Sequence, residues 1–204
     1  MKDWTKLANQ ESIEKTIVAL KENGINALVV EDGKAAKEKV FELLPVGAEV
    51  MNMTSVTLET IGVVKEILES GKYNSIRKKL MSMDRKTQGR EMQKLGEAPD
   101  YAIGSVHAVT QDGQVMIASN TGSQLSAYVY GAMHVIWVVG TQKIVKDIDE
   151  AVERIYEHCL PLESERSKKA YGSKGSNVSK KLTISREIRP NRITLIFVNQ
   201  LLGF

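Results

Sequence analysis

Hydroxyls, glycines and one lysine recur at three places where an apolar run of this 204-residue chain stops. Asn52-Met53-Thr54-Ser55-Val56-Thr57 follows Ala48–Met51, Ser119-Asn120-Thr121-Gly122-Ser123 follows Val115–Ala118, and Gly140-Thr141-Gln142-Lys143 follows Val135–Val139. Side-chain hydroxyls at a helix start satisfy orphan backbone N–H groups, and those same N–H groups attract anions. Gly122 lets the backbone approach a ligand closely, and Lys143 adds positive charge. In open α/β sheets, ligands sit beyond the carboxyl ends of the strands. The three loops are therefore expected to gather at one rim, with Thr54, Ser55, Thr57, Asn120, Thr121, Gly122, Ser123 and Lys143 around an anionic ligand. Plain helix capping also accounts for each loop taken singly. None of the three is a Walker A loop or a GxGxxG fingerprint.

Ser105 and His107 fall two apart in the run Ile103–Thr110, which reads as one strand, so both point to one face behind Gly104. A Ser–His nucleophile pair is the sharper reading. Two residues of strand rise separate them by roughly 6.6 Å, long for a hydrogen bond, and no G-x-S-x-G elbow is present. Contact with a ligand, or packing, is the plainer role for Gly104, Ser105 and His107. The three histidines and single Cys159 show no zinc spacing, so no metal is expected. Glu59 suits the dipole of a helix start. No residue is assigned as catalytic, and no cofactor is implied.

The elements that must hold these residues alternate. Ile13, Ile17 and Leu20 give a helix stopped at Asn23-Gly24; Ala27–Val30 gives a strand. Asp32 caps a second helix with Ala36, Val40 and Leu43 inward, ended by Pro45. A third helix carries Leu58, Ile61 and Leu68 to Gly71. This alternation predicts an α/β fold, a mostly parallel central sheet with helices on both faces. Asp112-Gly113 predicts a hairpin between Ile103–Thr110 and Val115–Ala118, which makes the sheet mixed. A short helix is read at Gln124–Tyr130, where Tyr128, Tyr130 and Met133 would floor a pocket or fill the core. Ile148, Val152 and Ile155 mark another helix, and Leu182–Ile188 with Ile193–Val198 read as a closing strand pair around Pro190-Asn191.

One domain, 1–204, is expected, without an internal linker. Residues 72–98 are basic and poor in large apolar side chains, and read as two surface helices forming a cover or a homodimer contact. Residues 160–181 are rich in Lys, Ser and Gly and read as a flexible basic loop. The net charge of +3 is too small to argue for nucleic acid. No apolar run approaches the roughly 20 residues of a membrane-spanning helix, and Met1-Lys2-Asp3-Trp4 does not open a signal peptide. The expected location is the cytoplasm.

Several short motifs, taken in order, resemble the LUD family of the lactate-utilisation protein C type. They are Pro45-Val46-Gly47, Thr54-Ser55-Val56-Thr57-Leu58-Glu59 with Gly62, Asp100, Gly104-Ser105-Val106-His107-Ala108-Val109, Gly113, and Val138-Val139-Gly140 with Lys143-Ile144-Val145. The likeness runs from about residue 10 to 200 and lies in the order and spacing of the motifs. It implies a NagB/RpiA/CoA-transferase-like fold, whose relatives act on sugar phosphates or CoA thioesters. It also implies a link to bacterial lactate or organic-acid utilisation beside iron–sulfur partner proteins. Two functional expectations follow: a binder of a small anionic metabolite, phosphate- or CoA-bearing ones included, or a non-catalytic subunit of an iron–sulfur lactate-oxidising complex. The acidic residues that carry chemistry in sugar-phosphate isomerases and CoA transferases have no counterpart here.

Overall fold

The computed structural model describes residues 2–204. In chain order the first half runs α1 (Gln10–Glu22), β1 (Asn26–Val30), α2 (Gly33–Leu43), β2 (Glu49–Asn52), α3 (Val56–Thr60), α4 (Val63–Glu69), β3 (Asn74–Ser75), α5 (Ile76–Met81), α6 (Arg85–Glu97) and β4 (Tyr101–Gly104). Then come β5 (Ala108–Thr110), β6 (Val115–Ser119), a wide π-type turn (Ala127–Gly131), β7 (His134–Gly140), a tight 3-10 turn (Thr141–Lys143) and β8 (Ile144–Val145). The chain closes with α7 (Ile148–Arg154), a second π-type turn (Ile155–Cys159), α8 (Leu160–Tyr171), β9 (Lys180–Ile184) and β10 (Ile193–Val198).

Two sheets result. The larger has six strands in the order β1-β10-β7-β4-β2-β3, every neighbouring pair parallel. Alternation along β7 sends Val135, Trp137 and Val139 to one core, shared with α1, and Ile136 and Val138 to the other, shared with α2, α3 and α4. Burial on both faces is why this strand is apolar at every position. The smaller sheet, β8-β5-β6-β9, lies against the first core. Val115 and Ile117 face the large sheet, while Met116 and Ala118 face α7 through Ala151 and Ile155.

The α/β class, the parallel sheet and the helices on both faces are as expected; the antiparallel pairing sits in the second sheet. The run Ile103–Thr110 is two strands, not one: β4 ends at Gly104, and Ser105-Val106-His107 crosses to β5 in the other sheet. Leu182–Ile188 and Ile193–Val198 do not pair with each other. β9 alternates exposed and partly buried residues and adds to β6, whereas β10 is buried along most of its length and inserts between β1 and β7. A half-exposed strand and a doubly covered one belong in different layers.

Gly62, at φ 74°, divides the third helix into α3 and α4. Residues 72–98 do form two helices, and α6 has no buried residue. The stretch 160–181 is not a loop throughout: α8 is helical to Tyr171 and Gly172 ends it at φ 62°. Arg166 donates to Glu163 through Nε and Nη2 within that helix, a local pairing that composition alone obscured. Among the described residues no helix is long and apolar enough to cross a membrane.

Candidate functional site

β10, β7, β4 and β2 are consecutive neighbours and all parallel, so the chain leaves each of them at the same edge. Asn52, Ser105, the turn Thr141–Lys143 and the segment Asn199–Gly203 follow those four ends. The turn is wholly buried. It is tied to the segment after β10 by Thr141 to Asn199 Oδ1 at 3.4 Å and by Gln142 Nε2 to the Leu202 carbonyl at 2.9 Å. Thr57 donates to the same carbonyl at 3.2 Å. Gly203, at φ 63°, leaves no room for a side chain, because a Cβ there would lie 2.5 Å from Thr57 Oγ1 and 3.5 Å from Lys143 Nζ.

Lys143 is 2% exposed, and its ammonium donates to Ser105 Oγ and the Val106 carbonyl, each at 3.2 Å. Burial, with the charge of Arg154 second, pulls its pKa down to about 7. Arg154 comes from the last turn of α7 and is fully buried. Its Nη1 donates to the His107 carbonyl at 2.6 Å and lies 3.0 Å from Cys159 Sγ. The π-type turn that follows α7 stacks residues five apart, which brings Cys159 under Arg154. Nε and Nη2 of Arg154 have no partner among the described residues.

The surrounding groups carry no compensating charge. His107 Nδ1 accepts the Ala118 N–H at 3.2 Å; burial, then Lys143 and Arg154, lower its pKa to about 3, so the ring is neutral. The residue nevertheless keeps a partly exposed surface. Burial pushes the Cys159 thiol up against the opposing pull of Arg154 and Lys143. Among the described residues neither Lys143 nor Arg154 has a carboxylate within ion-pair distance. Both amide atoms of Asn52, 1% exposed, are unpartnered as well.

Of the residues singled out from sequence, Thr57, Ser105, His107 and Lys143 are brought together. Gly104 lies against the core, since a Cβ there would overlap the Tyr128 hydroxyl. Tyr128 is buried edge-on against Trp137, so its place is the core. Ser55 caps α3 at the Leu58 N–H. Thr54 is exposed and accepts from Arg77 at 2.9 Å; Arg77 also reaches the Asn52 carbonyl at 3.4 Å.

The Asn120–Ser123 loop turns to β9 instead. Asn120 accepts from Ser179, Gly122 abuts Lys180, and Thr121 and Ser123 bond each other. Its hydrogen bonds include none to Thr57, Ser105 or Lys143. The Ser105 hydroxyl is bonded to Lys143 and not to His107, and the two residues lie in a crossover, which removes the strand geometry behind a Ser–His pair.

Arg154 was missed, although a signal existed. It lies between Ala151 and Ile155 on the buried stripe of α7, where an arginine is out of place. Asn52, Gln142 and Gly203 gave no sequence signal.

A cleft of about 480 Å³ opens beside the segment that covers Lys143, lined by Gly33, Lys34, Lys37, Ile61, Gln200 and Leu202.

The sequence matches the family model described as the LUD domain over residues 13–198. No curated protein matches it. Among solved structures, it resembles a DUF162 family protein from Deinococcus radiodurans, with a TM-score of 0.59 at 11% identity, over 95% of this chain and 100% of that one. At that identity the likeness speaks for the fold.

Proposed function

The chain belongs to the LUD domain family, and on that premise we propose that it binds a small anionic metabolite where Lys143 and Arg154 meet. One observation carries this reading: a fully buried arginine, with two nitrogens unpartnered and a buried lysine nearby, has no carboxylate among the described residues to balance it. Burying an uncompensated charge costs several kcal/mol, and a bound anion offsets that penalty. The partly exposed Ser105 and His107 offer a way in. Lys34 lines the adjoining cleft, beside Asp32 and a Lys37 that already faces Glu66 at 3.9 Å, and is the group there that suits the phosphate of a longer ligand, a sugar phosphate or an acyl-CoA. The link to lactate and organic-acid use that the resemblance implies makes small carboxylates the first ligands to try.

Thermal-shift screening against lactate, other short carboxylates, sugar phosphates and acyl-CoAs tests the proposal. A ligand at a hundredfold its dissociation constant adds roughly 2.7 kcal/mol to stability. The Lys143→Met variant is expected to lose the response while an exposed control, Lys94→Met, keeps it. No response to any of these anions would refute the reading.

The alternative, a non-catalytic subunit docked to an iron–sulfur protein, draws on a different surface. Tyr130 and Ile188 are 73% and 86% exposed, and Arg189 stacks over the Tyr130 ring. It predicts co-purification with such a partner that survives Lys143→Met.

A further inference from the structure

We propose that Lys143 is a nucleophile that condenses with the carbonyl of a short 2-oxo acid while the free edge of the Arg154 guanidinium holds that acid's carboxylate. This rests on the anion-binding reading and names the chemistry of the ligand.

Arginine carries its fork on definite edges. Nε and Nη2, the two atoms of Arg154 without partners, form the edge that takes a carboxylate through two parallel bonds. The third nitrogen is already committed to the His107 carbonyl and the Cys159 sulfur, which fixes the plane of the group. A buried arginine held by one end, with its other edge unpaired, is a receptor for a planar anion.

Lys143 and Arg154 bond consecutive carbonyls of one crossover, those of Val106 and His107, which brings the amine to the same place as the guanidinium. An amine becomes nucleophilic when desolvated or placed beside another cation, and here both conditions hold. With its pKa near 7, a large share of the amine is neutral at neutral pH. The Val106 carbonyl orients the amine, and Ser105 Oγ, at 3.2 Å, is placed to pass a proton.

In the step, the Nζ lone pair attacks the carbonyl carbon and the C=O π pair goes to oxygen; nitrogen loses one proton and oxygen gains one, through the Ser105 hydroxyl, to give a carbinolamine. The second nitrogen proton passes to that oxygen in the same way, the C–O bond breaks to release water, and the nitrogen lone pair forms the double bond to carbon. Amine and ketone become imine and water, with no oxidation or reduction. The crossover Ser105-Val106-His107 between the two sheets thereby gains a purpose: it hands a hydroxyl and a carbonyl to one amine.

Reductive trapping tests the step. The full chain is incubated with pyruvate or glyoxylate and sodium cyanoborohydride, then digested and mapped by mass. The peptide bearing Lys143 is expected to gain the mass of the oxo acid less one oxygen atom. Acetone, which lacks the carboxylate, should label it roughly tenfold less. Lys143→Arg, with folding checked by circular dichroism, should abolish labelling at that site. Labels confined to exposed lysines, in a protein whose melting temperature still rises with pyruvate, overturn the imine and leave anion binding intact. Neither label nor shift with pyruvate and glyoxylate overturns the imine, and anion binding falls with it when the other carboxylates, sugar phosphates and acyl-CoAs give no shift either. Because the wild-type chain alone reports the site, a misfolded variant does not weaken the result.

Discussion

Two arginines are buried at opposite ends of the large sheet, and they are held in opposite ways. Arg192 precedes β10; its Nη1 meets Glu187 at 2.7 Å, while Nε and Nη2 donate to the carbonyls of Ala132, Ala127 and Tyr128. Every nitrogen is satisfied and the charge is paired. Arg154, beyond the other end, has one committed nitrogen, no carboxylate, and a second cation beside it. The first arginine closes a corner of the fold around the wide turn Ala127–Gly131. The second keeps unspent bonding capacity, and on that difference rests the choice of Arg154 over Arg192 for the proposed anion site.

The largest expected effect separates the two directly. Arg192→Met should lower stability by about 3–5 kcal/mol in urea unfolding, because Glu187 and three carbonyls lose their partner. Arg154→Met should not lower stability and is expected to raise it by about 1–3 kcal/mol, since it removes a buried charge that nothing pairs, offset in part by the lost bond to the His107 carbonyl. In the thermal-shift assay the order reverses: Arg154→Met loses the response to short carboxylates. Equal losses in both assays would break the comparison.

A smaller effect is in pH dependence. Lys143 has its pKa lowered from 10.5 to about 7, chiefly by burial, with Arg154 adding to it and Cys159 opposing. Between those values the unfolded chain binds more protons than the folded one, so stability rises with pH from about 7 toward 10.5. His107, lowered from 6.5 to about 3, makes stability fall again as pH drops through that lower range. Each limb approaches a slope of about 1.4 kcal/mol per pH unit. Urea midpoints across pH should show both, and Lys143→Met should abolish the alkaline limb and shorten the acidic one, because Lys143 is one cause of the His107 shift.

The smallest effect sharpens the contrast with the basic surface. Lys86→Ala and Lys94→Ala on α6, both exposed, should move stability by no more than about 0.5 kcal/mol and leave the anion response unchanged. Were they to abolish it, the anion would belong on the 72–98 surface.

Much of the architecture was legible along the chain. Asn9, Asp32 and Asp147 cap their helices as their types suggest, and the apolar runs of β7 and β10 announce doubly covered strands. Ser105 and Lys143, both drawn from the sequence, lie within hydrogen-bond distance. Asn120–Ser123 bonds elsewhere, because it follows β6, a strand of the second sheet whose end meets β9 and not the large sheet.

Sequence by itself determined the alternation of helix and strand, and that a lysine follows the central strand. Those features arise from periodicity and capping, which act over a few residues. Tertiary structure alone decided that Ile103–Thr110 is shared between two sheets, that β9 and β10 part company, and that Arg154 reaches the lysine. Strand partnership and the burial of a charge depend on surfaces supplied by distant segments. The pairing of Lys143 with Arg154, eleven residues apart but joined through a turn, a strand and a helix, exists only once both sheets have packed.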